Sequence, residues 1–535
     1  MNNPQQADTA HANRCRRLWR WWGNNNKPPR LLQFRSSKPF ILWVCAFSVF
    51  SDIFLYGLIV PVLPFALSDR IGVEPGDAQK WTSILLTVYA AALLVGSPIC
   101  GWWADKSKTR QVPFMFGLLL LAGATLMLAL ARTLTLLVVA RILQGLSGSI
   151  VWVIALAMLA DRVGSKEIGA HIGTIVLARS IATIAAPLIG GVVYAKVGYY
   201  MVYVTAFIFL GADIVFRLAM IEARVARKWD PSIGLPAPQE DSVVEKSEGS
   251  EKAASTPRDD CFSINMQPQK GRIYHPVHYL PPFIVMLGSI RLLLALWGCI
   301  VIAILFGAFE AVIPLFVEAM FNWDSFGAGL VFLALLIPTF ISPAIGRLAD
   351  KHGPRWYVAV GYVLTMIPVV LLRIVTRNTL HDKVVFCVLL AFCGAFCMFF
   401  EVPIHVEIML SVEEKMRQNP KYYGEKGAYA QAFGLGNLMY ALGLIVGPLW
   451  GGYVVESAGW EVMTLSLGVM CCAGAVPAAI CTGGNIFTIK KDRSSEGKGQ
   501  EEPQRVSLSV EEALPTPSSV QKPDSDAIRV YSSAV

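Results

Sequence analysis

Twelve runs of about 20 apolar residues follow one another along this chain, and that one pattern leaves few folds open. Coiled as a helix, each run crosses a hydrocarbon core of about 30 Å, whereas membrane strands would show as alternating segments of about 10 residues. The runs cover roughly residues 39–66, 82–103, 113–131, 134–160, 169–192, 200–221, 292–318, 325–346, 356–376, 384–411, 428–454 and 460–484. At 535 residues, with 54% hydrophobic against 16% charged residues, the chain is too apolar for a water-soluble protein of its size. The expected fold is an all-α membrane protein of twelve transmembrane helices.

Lysine and arginine orient it. With the N-terminus cytoplasmic, the inner segments hold 36 of the 46 basic residues, and the outer loops hold six, Arg70, Lys80, Arg132, Lys196, Arg377 and Lys383. Both termini are therefore expected inside, and the net charge of +8 is mostly a topology signal. The cluster Arg14, Arg16, Arg17 and Arg20, interleaved with Trp19, Trp21 and Trp22, fits anionic inner-leaflet lipid better than nucleic acid. The first run is too long for a cleavable signal peptide and serves as the targeting signal. The eleven cysteines lie mostly in apolar runs, so disulfides are not expected.

Five segments follow from composition: a basic cytoplasmic N-terminal segment 1–38, a six-helix half 39–221, a cytoplasmic linker 222–290, a second six-helix half 291–484 and a cytoplasmic tail 485–535. Linker and tail, with stretches such as PAPQEDSVVEKSEGSEK and KKDRSSEGKGQEEPQ, bury too little apolar area to order themselves and are expected to be largely disordered.

An internal repeat supports two halves. Gly101-Trp-Trp-Ala-Asp105-Lys106 returns as Gly346-Arg-Leu-Ala-Asp350-Lys351 after 245 residues, and Pro187-Leu-Ile-Gly190-Gly191 returns as Pro448-Leu-Trp-Gly451-Gly452 after 261. The loop 412–427 is expected to absorb the difference. Each Asp is placed to meet a neighbouring helix N-terminus, and Arg110 and Arg355 follow as the basic ends of these turns. One copy alone would be an ordinary polar turn; two at matching positions point to a conformational element. Gly443 and Gly447, ahead of Pro448, Gly451 and Gly452, put small residues along one helix face, with a weaker copy at Ala182 and Ala186. Structural packing explains these stripes; a hinge or a leak-proof seam is the sharper alternative.

Three carboxylates, Asp52, Glu310 and Glu401, lie within apolar runs. At roughly 2.5 to 3.5 kcal/mol each, they oppose insertion by about 8 to 10 kcal/mol before compensation. Acids kept at that depth line a polar cavity and change protonation state, so they are the expected substrate and proton-coupling groups. Glu310, nearer the outer end, and Glu401, nearer the inner end, have a bland alternative as snorkelling or capping groups. His405 lies one helical turn beyond Glu401, placed to share its proton or simply to be a satisfied core histidine. Asp213 and Arg217, spaced i, i+4, are expected to pair with each other, whereas Arg141 has no local partner and is assigned to the coupling network.

Together these residues resemble the major facilitator superfamily. The carriers of the likeness, over about residues 39–484, are the two Gly-x-x-x-Asp turns, Arg141 in Arg-x-x-Gln144-Gly145 and the Gly-Pro-x-x-Gly-Gly segments. Within it the chain is similar to the twelve-span drug:proton antiporters and their vesicular amine transporter branch, especially fungal members. That likeness rests on Asp52 before Gly57-Leu-Ile-Val-Pro61, Met158-Leu-Ala-Asp161, Glu310-Ala-Val-Ile-Pro314 and the Glu401 helix. The resemblance implies that Asp52, Glu310 and Glu401 serve substrate binding and proton coupling. It departs at Tyr89 and Asn437, aligned with a Lys and an Asp that pair in amine transporters; a neutral, hydrogen-bonding pair is expected instead. Lys108 stands for the glycine of the first turn, which Gly353 keeps in the second, so the two turns need not be equivalent.

The function read from these residues is proton-coupled export of a small organic compound by alternating access, by a monomer in the plasma membrane or a vacuolar or vesicular one. A proton-driven importer or uniporter, or a transporter-like receptor, is the alternative. Neither a phosphate-binding Gly-x-x-x-x-Gly-Lys-Ser/Thr loop nor a metal cluster or nucleophile–base pair is found, so no cofactor, metal or enzymatic activity is expected.

Overall fold

A backbone amide inside hydrocarbon has no water to bond, so each apolar run must close its own hydrogen bonds. The structure, a computed structural model, describes residues 28–29, 31–230, 282–323, 325–423 and 427–483; all twelve runs are helical, and the described residues contain no strand. In chain order the spans are α1 (Lys38–Val62), α2 (Lys80–Lys106), α3 (Gln111–Leu130), α4 (Leu134–Val163), α5 (Ile168–Val197), α6 (Tyr199–Ala219), α7 (Ile290–Phe321), α8 (Gly329–His352), α9 (Pro354–Ile374), α10 (Leu380–Gln418), α11 (Tyr429–Ala458) and α12 (Trp460–Cys481). Six crossings per half bring the start of α1, the ends of α6 and α12 and the start of α7 to one side of the bundle, the terminal face.

Local chemistry starts several of these helices. Ser37, Thr133 and Thr379 accept from the backbone N–H three residues on, at 3.3, 3.3 and 3.1 Å. Proline breaks others: α1 turns 3₁₀ over Val60–Val62, carrying Pro61, and α8 turns 3₁₀ over Ile337–Ile341, carrying Pro338.

Three boundaries differ from the sequence reading. Helix α10 runs on to Gln418, through the stretch assigned to a loop from 412, because Val412–Gln418 forms a charged helical extension in which Arg417 pairs with Glu413 at 3.0 Å. The linker's near end is folded: Ala223–Ala226 is helical, and Glu222 accepts from the Arg110 backbone at 3.1 Å. Its far end is folded too, with Pro282–Leu287 helical and Met286 fully buried. The remaining linker, the tail and the Arg/Trp cluster lie outside the described residues.

Within each half, small residues let backbones meet. Gly57 packs on Ala186 and Gly190 on the Leu58 carbonyl, joining α1 to α5; Gly443, Gly447 and Gly451 pack on Ile300–Ala303, Ile304 and Ala308, joining α7 to α11. Pro448 itself fills the space beside Gly307, and Pro187 lies near Gly57. Of each Gly-Gly pair only the first member makes the close approach, because Gly191 and Gly452 face open space. Between the halves the main contacts are α2 with α11 and α5 with α8.

Candidate functional site

Asp52 sits mid-way along α1, 5% exposed, and its Oδ1 has no hydrogen-bond partner. The adjacent Ser147 of α4 donates to the Gly117 carbonyl at 2.9 Å and also lies within hydrogen-bonding reach of the carboxylate, which leaves Oδ1 as the oxygen without a partner. Gly148 leaves the room in which the acid lies: a Cβ there would stand 3.1 Å from Asp52 Oδ2 and 3.0 Å from the Tyr89 hydroxyl of α2. Tyr89 packs on Tyr56 at 4.5 Å between ring centroids, and the Arg141 guanidinium lies 5.7 Å from the Tyr56 ring. Arg141 does have a local partner, contrary to the sequence reading: its Nη1 donates to Gln144 Oε1 one turn on, at 2.8 Å. Its Nε and Nη2 are buried without a hydrogen bond, as are Ser51 Oγ and Gln144 Nε2. Unmet polar groups this dense in an apolar interior are expensive, and a proton, water or ligand is the usual compensation.

Glu401 on α10 is paired across the halves with Arg179 of α5. Arg179 is a site residue that the sequence did not single out; the available signal was that a cation at that depth requires an acid. Trp152 and Tyr440 present their rings to the guanidinium at 5.7 Å each. His405 is hydrogen-bonded to the Glu401 backbone and not to its carboxylate. Its Nδ1 is 2.9 Å from the Glu401 backbone carbonyl, and its ring packs edge-on to Trp152, so it is a satisfied histidine of the α10 backbone. The Glu310 side chain is exposed despite its place within α7, yet it interacts electrostatically with Arg179, Tyr56 and Tyr440. It therefore faces the interior between the halves and does not snorkel outward.

The expected Tyr89–Asn437 pair does not form. Asn437 of α11 donates to Ser97 Oγ at 2.8 Å, and Ser97 lies about 12 Å along α2 from Tyr89, eight residues at 1.5 Å each. Asp213 and Arg217 do pair, at 2.9 Å.

At the terminal face both Gly-x-x-x-Asp turns reach across the halves. Asp105 accepts from the Ala430 and Gln431 backbones at the start of α11, at 3.2 and 2.9 Å, with Gly101 against the Ala430 carbonyl. Asp350 accepts from the Gly169 and Ala170 backbones at the start of α5, at 2.7 and 2.8 Å, with Gly346 against the Gly169 carbonyl. Negative charge at a helix N-terminus is favoured by its orphan donors and by the macrodipole. Arg110 bridges Asp105 at 3.0 Å and Asp161 at 2.5 Å; burial works against its charge, but the two carboxylates outweigh it and raise its pKa above the ordinary arginine value. Arg355 instead donates to the Thr482 carbonyl at 2.5 Å. Among the described residues no group of three or more His, Cys, Asp or Glu could hold a metal.

A sequence model of the Major Facilitator Superfamily matches residues 45–418 and, overlapping, 296–522. An uncharacterised MFS-type transporter of Schizosaccharomyces pombe is 34% identical over 448 residues, 84% of this chain and 96% of that protein. The MFS-type transporter ppzB of Metarhizium rileyi is 32% identical over 482 residues, covering 85% and 95%. The class B tetracycline resistance protein of Escherichia coli is 24% identical over 406 residues, covering 74% and 87%. Among solved structures, the human organic anion transporter MFSD10 superposes with a TM-score of 0.59 at 16% identity, over 84% of this chain and all of that one, a likeness of fold.

Proposed function

The chain belongs to the major facilitator superfamily and is a multi-pass membrane transporter, not an enzyme; from that premise we propose that it exports a small organic compound in exchange for protons. The observation that carries this reading is the Asp52 carboxylate, buried with an oxygen that bonds nothing. A fixed charge there would be a standing cost, whereas a group that gains a proton on one side and loses it on the other has a use for the position.

The terminal face is cytoplasmic in this reading, and its two Asp-capped seams are closed. Substrate leaves toward the opposite face, past Glu310, which offers a negative charge to an ammonium or other cationic group. Asp52 takes up a proton from that side. Rocking of the halves then opens the α2–α11 and α5–α8 seams, and the Arg179–Glu401 pair, which joins α5 to α10 across the halves, must part or pivot as they separate. The proton leaves to the cytoplasm, and substrate enters. The chain works as a monomer in the plasma membrane, and the likeness to a tetracycline resistance protein supports an efflux role.

The test is pH-gradient-driven uptake by purified protein in proteoliposomes, beside substrate exchange without a gradient. Asp52→Asn is expected to abolish accumulation and keep exchange, and Glu310→Gln to weaken cation binding. Full proton-driven accumulation by Asp52→Asn would overturn the reading; downhill flux alone in the parent would make it a uniporter.

A further inference from the structure

Asp213 and Arg217 of α6 are both fully buried and take no part in the transport scheme. They face α1: Ser48 donates to Asp213 Oδ1 at 2.7 Å and accepts from Arg217 Nε at 3.0 Å. Arg217 also donates to the Phe114 carbonyl at 2.6 Å, with its guanidinium 3.7 Å from the Phe114 ring. Ser48 precedes Asp52 by one helical turn, so this pair lies next to the proton site on the side of the terminal face. Stability alone does not explain it, because a buried ion pair is often no better than apolar side chains of the same volume.

We propose that Asp213 and Arg217, tied to α1 through Ser48, are positioning residues that keep charge balanced beside Asp52: together they leave the pH at which it exchanges its proton unmoved, and breaking the pair moves it. The inference rests on the reading of Asp52 as the proton site. Both charges act on Asp52 electrostatically. The other polar groups around that carboxylate are Tyr56 on its own helix, Tyr89 on α2, and Arg141, Gln144 and Ser147 on α4, with Glu310 of α7 reaching Tyr56. Of these only Arg141 and Glu310 are charged or readily become so, and both lie toward the opposite face. On the terminal side the nearby charges are therefore those of the α6 pair, which cancel while both are present.

Removing one member unbalances it. Asp213→Asn leaves Arg217, whose positive charge favours ionised Asp52, so the midpoint of pH-dependent transport moves to lower pH. Arg217→Gln leaves Asp213 and moves the midpoint to higher pH. An unbalanced charge roughly 10 Å away, at an effective dielectric constant near 20, shifts the midpoint by about one pH unit. The Asp213→Asn/Arg217→Gln double variant, again neutral, is expected to return to the parental midpoint.

Two readouts are made on each full-length variant: the pH profile of uptake, and the pH dependence of carbodiimide labelling at Asp52, mapped by peptide mass spectrometry. Opposite shifts in the single variants, cancelled in the double, support the proposal. Shifts of the same sign, no shift in folded protein, or a double variant shifted as far as a single one overturns it. If one single variant fails to insert, the other is judged against the double. Labelling separates the two readings: it shifts even if Asp52→Asn still accumulates substrate, in which case the transport scheme fails and this link stands.

Discussion

Asp105 closes the seam between α2 and α11, and Asp350 closes the seam between α8 and α5, each by accepting two backbone N–H groups from the other half. The surroundings of the two carboxylates differ. Asp105 is 4% exposed and shares Arg110 with Asp161, whereas Asp350 is partly exposed and is held by the helix N-terminus. The counterpart of Arg110, 245 residues on, is Arg355, and it is turned to Thr482; Glu407, at nearly the same offset from Asp161, is committed to Arg291 at 2.7 Å and to the Gly483 backbone at 2.9 Å. The cause is one residue. Gly353, at φ 81°, lets α8 turn into α9 with no other linking residue, so Arg355 is already helical; the first turn, with Lys108 at that position, takes four residues, and Arg110 sits in the loop facing both acids. A repeated motif thus keeps its capping geometry while its charge network diverges.

The strongest attempt to break this comparison is Arg110→Ala, which takes from the buried Asp105 and the partly buried Asp161 their shared cation. We expect a loss of about 3–5 kcal/mol, read as a fall in Tm of the purified protein. A loss below 1 kcal/mol would mean that the first seam does not depend on its network. Asp350→Asn exchanges two charge-assisted hydrogen bonds for neutral ones in a partly exposed place, and about 1–2 kcal/mol is expected. Spin-label distances between α5 and α8 should broaden at the terminal face while those between α2 and α11 stay put. Arg355→Ala, which removes among its contacts the bond to the Thr482 carbonyl, should cost about 1–2 kcal/mol, less than Arg110→Ala, and a Tm fall matching that of Arg110→Ala would erase the distinction. The smallest effect belongs to Gly452→Ala and Gly191→Ala. With open space at both positions, alanine should be neutral or stabilising by up to about 1 kcal/mol, while Gly447→Leu, facing the Ile304 carbonyl, should not accumulate as folded protein.

The twelve spans were legible because lipid imposes length and polarity on every crossing, and the two Asp turns because a repeat at matching positions is hard to produce by chance. Helical periodicity also found the Asp213–Arg217 pair, since both residues lie on one helix. It could not find Arg179–Glu401, because periodicity names the face a residue occupies and not the helix that meets that face. The Tyr89–Asn437 expectation failed in the same way: alignment put the two on facing helices, but a two-turn offset along the axis separates them. His405 lies on the expected face, one turn from Glu401, but the orientation of its ring, which sets its Nδ1 on a backbone carbonyl, is not something helical spacing specifies.

Helix α10 has 39 residues, about 58 Å at 1.5 Å each, close to twice the thickness of a hydrocarbon core. Its bond to α5 is at Glu401, two residues before Pro403, where the missing amide N–H makes the helix easiest to bend. From Glu401 to Gln418 is about 26 Å of stiff rod. A tilt of about 10° at that fulcrum sweeps its end through roughly 4 Å, geometry that follows from helical rise alone. The helix thus has the proportions of a lever: a small change of angle at a single buried carboxylate would be read out several ångströms wide at the far end of the rod.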